Sequence, residues 1–289
     1  MSDTPTPRRS VLYMPGANAR ALEKARSLPC DAVVFDLEDA VAPDAKEAAR
    51  ANVAAALEQG GYGHRELVVR VNALDTPWGH DDVAAVAKLP LGGLLFPKVE
   101  NAAQIDGIVA ATEAAGAGEV PLWFMVETPR AVLDVRALAA HTRRLTVLVM
   151  GTSDLVKELR ARHTVARHNL AYALQHCVLV ARAQGVDLLD GVHLDIRDQA
   201  GFRAACEQAR DMGFDGKTLI HPSQVEPANE VFGFDDAAVE EARRVLDAWQ
   251  RATAEGRGVA VLDGRLVENL HAAEAERVLA FAAALADRR

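Results

Sequence analysis

Val33, Val34 and Phe35 form an apolar run, and Asp36, Glu38 and Asp39 follow within four residues. Carboxylates are costly to bury unless a positive charge meets them. The spacing therefore asks which cation they face: a lysine, an arginine or a metal. The pattern recurs along the chain. Arg70 and Asn72 end "LVVRVN", Lys98 and Glu100 end "LLFPKVE", and Glu127 follows "LWFMV". Asp154 follows "TVLVMGTS", Asp190 ends "LLD", and His221 follows "KTLI". Carboxylates outnumber cations in this set. Oxygen ligands without a nearby His or Cys pair suit Mg²⁺ or Mn²⁺. The competing arrangement is a ring of salt bridges, such as Arg70 with Glu38 and Lys98 with Glu127, and position alone leaves both open.

Such residues act together only if the runs before them are parallel strands whose C-terminal ends share one rim. Eight strand candidates are present: Ser10–Met14, Ala32–Leu37, Leu67–Val71, Gly93–Pro97, Leu122–Val126, Thr146–Met150, Leu188–Gly191 and Lys217–Ile220. Alanine-rich amphipathic segments alternate with them: Ala19–Ser27, Ala45–Gln59, Asp81–Leu89, Ala102–Ala115, Pro129–Ala140, Val165–Gln184, Asp198–Met212 and Ser223–Phe232. This predicts an α/β protein, a (β/α)8 barrel over residues 1–234. The rival, a doubly wound open sheet, usually shows a glycine-rich first turn, and "MPGANA" is not G-x-G-x-x-G. Residues 235–289 read as a helix, a hairpin turning at Asp263-Gly264 and a final helix. That helix-hairpin-helix extension is expected to serve as a flap over a barrel mouth, its own or a neighbouring subunit's.

Other polar residues read more plainly. His163 and His168 stand five apart among arginines, which is no zinc spacing, and suit a solvated loop. Ser153 lacks a histidine partner and a G-x-S-x-G context. His221 could orient a substrate or cap a turn. Arg8, Arg9, Arg20, Lys24 and Arg26 cluster around the first strand and helix, as a solvated face or as a site for a phosphate-bearing ligand.

The composition narrows the classes. The 289 residues are half hydrophobic, enough for a large core, and the net charge of −9 argues against nucleic-acid or acidic-membrane binding. No stretch approaches the ~20 apolar residues of a membrane span, and Val11–Met14 is too short for a secretory signal. Cys30, Cys177 and Cys206 are scattered, without a CxxC, and read as small buried hydrophobes in a reducing, cytoplasmic compartment.

The stretches "RSVLYMPGANARALEKA", "DAVVFDLEDAV", "VVRVN", "FPKVE", "ET", "GTSDL", "GFDGKTLIHPSQV" and "GRLVENLHAAEAERVLA" resemble the citrate lyase β-subunit and malyl-CoA lyase group of the HpcH/HpaI aldolase superfamily, in order, from Arg9 to Ala286. The resemblance implies a (β/α)8 barrel with Mg²⁺, bound by Glu127 and Asp154. Glu38 and Asp39 would hold the metal's waters, so that the cation facing this acidic segment is Mg²⁺ with Arg70 close by. Arg70 and Glu127 would bind substrate, and CoA contacts fall near Tyr13 and Lys24. The family's catalytic aspartate in the C-terminal segment matches Glu268, one methylene longer, and "ETPRAV" lacks the glycine that often follows the metal-binding glutamate.

The expected activity is Mg²⁺-dependent carbon–carbon cleavage of a carboxylated 3-hydroxyacyl-CoA, such as malyl-, citramalyl- or citryl-CoA, to an acyl-CoA and a 2-oxo acid. Arg70 and Glu268 are the expected catalytic residues. A homo-oligomer is implied, of which a trimer is one form, with Glu268 supplied to a neighbour. The alternatives are a citrate lyase β-subunit working on an acyl-carrier protein, an aldolase for free hydroxy-oxo acids, and a non-catalytic acyl-CoA-binding protein.

Overall fold

Eight parallel strands hydrogen-bond in chain order and close on themselves: β1 (Ser10–Pro15), β2 (Ala32–Asp36), β3 (Glu66–Arg70), β4 (Gly93–Phe96), β5 (Leu122–Val126), β6 (Leu145–Met150), β7 (Asp187–Asp190) and β8 (Gly216–Leu219). The computed structural model describes residues 5–288. Its strands match the apolar runs of the sequence to within a residue or two at each end, and the (β/α)8 barrel is the fold. Successive strand residues point to opposite faces. Both faces are buried here, which explains runs that are apolar throughout instead of alternating. Val11, Val34, Val68, Trp123, Val147 and Leu189 fill the barrel, while Leu12, Val33, Phe35, Val69 and Leu148 pack against the surrounding helices.

The helices of this unit are α1 (Ala19–Ala25), α2 (Lys46–Gln59), α3 (Gly79–Val86), α4 (Ala102–Ala114), α5 (Pro129–His141), α6 (Thr152–Glu158), α7 (Ala171–Gln184), α8 (Gln199–Met212) and α9 (Val225–Val231). Two features depart from the sequence reading. An additional short helix, α6, follows β6. The helix expected from Val165 begins only at Ala171, because Arg167 takes a left-handed backbone (φ 49°) and sends its guanidinium to both oxygens of buried Asp190 at 2.8 Å. Asp190 also holds the buried Lys217 ammonium at 2.5 Å. His163 and His168 are exposed in the intervening segment.

Arg8 closes the barrel's N-terminal end. It grips Glu66 with two hydrogen bonds (2.6 and 2.8 Å) and Asp187 with one (2.5 Å), and its guanidinium lies 5.3 Å from the Trp123 ring centroid.

The chain divides into two units, residues 8–232 and residues 233–288 with 5–7. The second consists of α10 (Asp236–Ala254), an antiparallel hairpin of β9 (Ala260–Leu262) and β10 (Arg265–Val267), and α11 (Asn269–Ala286). Asp263 and Gly264 both have positive φ at its turn, as a two-residue hairpin loop requires. Its core joins Ala242, Val245 and Leu246 of α10 with Ala275 and Val278 of α11. Among the described residues, no helix is long and apolar enough to cross a membrane. The three cysteines are free and buried.

Candidate active site at the barrel mouth

Strand parity decides which polar residues reach the barrel's interior. Val11, Val34, Val68 and Met125 point inward. The residues two places later, Tyr13, Asp36, Arg70 and Glu127, therefore point the same way at the C-terminal rim. They line a cavity of about 410 Å³ together with Asp39, Asp154, Met150 and Ile220.

Arg70 is the centre of the charge network. The β2–β3 register sets Asp36 opposite Arg70. Nε and Nη2 of Arg70 donate to the two Asp36 oxygens at 2.7 and 2.6 Å. Nη1 reaches Glu38 Oε2 at 2.9 Å and Met125 Sδ at 3.7 Å, and the guanidinium lies over the Tyr13 ring at 4.9 Å. Burial works against the charge of Arg70, but Asp36, Tyr13 and Glu38 outweigh it and raise its pKa well above the ordinary range. Of the five guanidinium hydrogens, the second on Nη2 has no protein acceptor among the described residues.

The loop after β2 is held from beneath. Lys46, buried at the start of α2, donates to the carbonyls of Leu37 and Glu38 at 2.7 Å and to Asn72 Oδ1 at 2.8 Å. Burial lowers its pKa against the pull of Asp36 and Glu38. Asn72 in turn donates to Asp82 of α3 at 2.6 Å. Asp36 also accepts the N–H groups of Glu38 (2.9 Å) and Ala40 (3.2 Å), which turns the chain back over the mouth.

Glu127 is fixed differently. Thr128 caps α5, its side chain accepting the Ala131 N–H at 3.1 Å with Pro129 in the first turn, so the chain leaves β5 for the helix immediately after Glu127. Gly151 makes this possible: a Cβ there would lie 2.3 Å from Glu127 Cβ and 2.6 Å from its Oε2. Glu127 Oε1 accepts the Lys98 N–H at 2.7 Å. Burial, then the charges of Glu38 and Asp154, push the Glu127 carboxyl up to about 7, against the Lys98 N–H and Arg70. Asp154 stands in the first turn of α6 on the adjacent strand's connection.

The carboxylates at this rim fall into two groups. Asp36 and Glu38 face Arg70 and Lys98; the Lys98 ammonium meets Glu38 Oε1 at 2.9 Å and not Glu127. Burial raises the Glu38 pKa, opposed by Arg70 and Lys98. Glu127 and Asp154 line the same cavity and form no ion pair among the described residues. No three His, Cys, Asp or Glu side chains converge on a metal position among the described residues. Mg²⁺ fits this donor set, because it is commonly bound by one or two carboxylates, the other positions being water and substrate oxygen.

The remaining expected residues separate. Tyr13 lines the cavity and its hydroxyl is buried without a partner. Burial raises its pKa, opposed by Arg70. Lys24 is exposed in the last turn of α1 and does not line the cavity. Three members of the basic cluster are engaged elsewhere, while Arg20 and Lys24 are exposed: Arg8 holds Glu66 and Asp187, Arg9 holds Asp31 at 2.8 Å, and Arg26 pairs with Glu23. The physical reason is that Arg8 and Arg9 precede β1, at the barrel end opposite the cavity. Glu268 lies in the second unit at the N-cap of α11, its N–H bonded to His271 Nδ1 at 3.0 Å. His221 caps the turn after β8, its Nδ1 accepting the Ser223 N–H at 3.2 Å.

The sequence reading missed Lys46 and the pairing of Asp36. A lysine at a helix start reads as solvated, and nothing local marks its burial. Asp36 did carry a signal, since "VVFD" and "LVVR" place an acid and a base at equivalent positions of consecutive strands.

A closed (β/α)8 barrel with ionisable residues gathered at the C-terminal rim is the architecture of a barrel enzyme. The chain belongs to the HpcH/HpaI aldolase/citrate lyase family, whose model matches residues 9–222. It is 50% identical over 280 residues to a (3S)-malyl-CoA thioesterase of Cereibacter sphaeroides, covering 97% of this chain and 96% of the relative. It is 34% identical over 267 residues to the citrate lyase subunit beta of Escherichia coli, covering 90% and 88%. Among solved structures, CitE of Mycobacterium tuberculosis in complex with magnesium, acetoacetate and coenzyme A is similar at a TM-score of 0.77 and 28% identity, over 98% of this chain and all of that one.

Proposed function

We propose that the protein hydrolyses the CoA thioester of a short 3-hydroxy dicarboxylic acid, with malyl-CoA as the model, using a divalent cation held by Glu127 and Asp154. The observation that carries the reading is this carboxylate pair, without a basic partner, on a cavity that also presents Arg70. Mg²⁺ or Mn²⁺ bound there supplies Lewis-acid polarisation and a template for a substrate's adjacent hydroxyl and carboxylate. Glu38 and Asp39 orient water at the mouth. The uncommitted Nη2 hydrogen of Arg70 meets negative charge developing on the thioester oxygen. Water adds to the thioester carbonyl carbon, the carbon–sulfur bond breaks, and the hydroxy acid and CoA thiol leave. Glu268, supplied by a neighbouring subunit of a homo-oligomer, takes the water's proton and returns one to the departing sulfur. Tyr13 and Lys24 contact the CoA portion.

Thioester hydrolysis is preferred to the carbon–carbon cleavage expected from sequence motifs because the 50% identical relative, named for hydrolysis, spans nearly the whole chain. Cleavage to acetyl-CoA and a 2-oxo acid is the second reading, supported by the citrate lyase beta relative. One experiment separates them. The protein is incubated with (3S)-malyl-CoA and Mg²⁺, and products are followed by thiol titration and NMR. Malate with free CoA is expected; glyoxylate with acetyl-CoA would establish the lyase, and neither product would remove malyl-CoA as the substrate.

A further inference from the structure

Pro97 to Glu100 make the turn after β4. Lys98 there has φ 54°, one of four positive values among the described residues other than glycine. That region strains an L side chain and persists only where neighbours hold it. Gln104 of α4 does so: it accepts the Glu100 N–H at 2.7 Å and donates to the Lys98 carbonyl at 3.3 Å. Held in this way, the two ends of Lys98 act on carboxylates from two different strands. Its N–H donates to Glu127 Oε1 at 2.7 Å, and its ammonium donates to Glu38 Oε1 at 2.9 Å. Arg70 takes the other Glu38 oxygen at 2.9 Å. Glu38 therefore has a cation on each oxygen, while Glu127 is oriented by a neutral donor and has no ion-pair partner among the described residues.

We propose that Lys98 is a positioning residue that sorts the carboxylates of the mouth, neutralising Glu38 and aiming Glu127, so that the divalent cation is directed to Glu127 and Asp154. This rests on the proposed metal site. The sign of its effect is unusual. Loss of the ammonium returns a negative charge beside the site, which attracts a cation more strongly. The freed Glu38 then competes with Glu127 for that cation and with Asp36 for Arg70, which slows turnover. A residue that merely supported the fold would weaken both properties together.

The test uses the full-length protein and Mn²⁺ as probe, with binding read by electron paramagnetic resonance and turnover by thiol release from malyl-CoA. Lys98→Met should bind Mn²⁺ at least about threefold more tightly. Its kcat should fall at least about tenfold with KM changed less than about threefold. Lys98→Arg should restore both. Lys98→Gly should behave as Lys98→Met in both assays with a Tm no lower, because glycine is at ease at this φ; it also carries the comparison should Lys98→Met not fold. Mn²⁺ affinity that is unchanged or weaker, or a kcat that is unchanged, overturns the proposal. Glu127→Gln run in parallel distinguishes the failures. If it leaves Mn²⁺ binding intact, the metal site falls and Lys98's role with it; if it weakens binding while Lys98→Met changes nothing, the Lys98 proposal alone falls.

Discussion

Asp36 and Arg70 are register partners on neighbouring strands, and their side chains close a two-pronged ion pair at 2.7 and 2.6 Å inside the barrel mouth. Both are buried. The pair presents Arg70 to the cavity in one orientation, with Nη1 on Glu38 and one Nη2 hydrogen without a protein acceptor among the described residues.

Removing one partner should therefore be costly. Asp36→Ala leaves Arg70 buried with Glu38 at 2.9 Å and Asp39 at 3.7 Å as its remaining acidic partners, a change of the kind that costs about 3–5 kcal/mol. A Tm fall of roughly 10 °C is expected for a unit of this size. Arg70→Lys keeps the charge but loses the planar fork. Turnover should fall more than about tenfold, over ~1.4 kcal/mol of barrier, together with a smaller Tm drop. Calorimetry and kinetics on both variants check this, and an Arg70→Lys enzyme of full activity would make the pair purely structural.

Glu127 gives the metal-free protein a distinctive pH dependence. Its carboxyl is raised from 4.5 to about 7 on folding. The native state then holds a proton that the unfolded chain has lost, so stability falls as pH rises from about 4.5 to about 7 and levels off above. The loss is on the order of 3 kcal/mol. Glu127→Gln should abolish this slope and exceed the chelator-treated wild type in stability at pH 8. Urea unfolding across pH 4.5 to 8 measures it, and parallel curves for the two proteins would contradict the assignment.

Gly151 is predicted to tolerate no side chain. An added Cβ would overlap Glu127, so Gly151→Ala should displace that carboxylate and cost about 1–3 kcal/mol. Mn²⁺ affinity should fall in step with Tm. Unaltered Mn²⁺ binding would show that Glu127 does not need its present position.

The proposed sharing of sites between subunits has its own signature. Glu268→Ala and Arg70→Ala should each be inactive, while Glu268→Ala retains Mn²⁺ and CoA-ester binding. Mixing them under conditions of subunit exchange should restore part of the activity, because some sites would combine an intact Arg70 with an intact Glu268. No recovery despite demonstrated exchange would assign the extension to its own barrel, and an active Glu268→Ala protein would leave Glu268 as the cap of α11.

Much of the fold was legible because a parallel barrel writes itself as apolar strands of four to six residues separated by amphipathic helices. The cavity residues Arg70, Glu127 and Asp154 were legible for the same reason, standing where those runs end. The start of α7 was not, because Arg167 leaves the helical region to reach Asp190, 23 residues ahead in sequence.

The amino-acid sequence by itself determined the strand count and the surplus of carboxylates at the strand ends. These follow from local periodicity, which each segment carries alone. Only the tertiary structure decided which charge meets which. Register set Asp36 against Arg70, the direction of β1 placed Arg8 and Arg9 at the far end, and burial turned Lys46 from a surface lysine into the clamp beneath Glu38. The left-handed turn at Lys98 joined Glu38 to Glu127 across β2, β4 and β5. Such pairings depend on distances between residues remote in sequence, and those distances exist only once the barrel has closed.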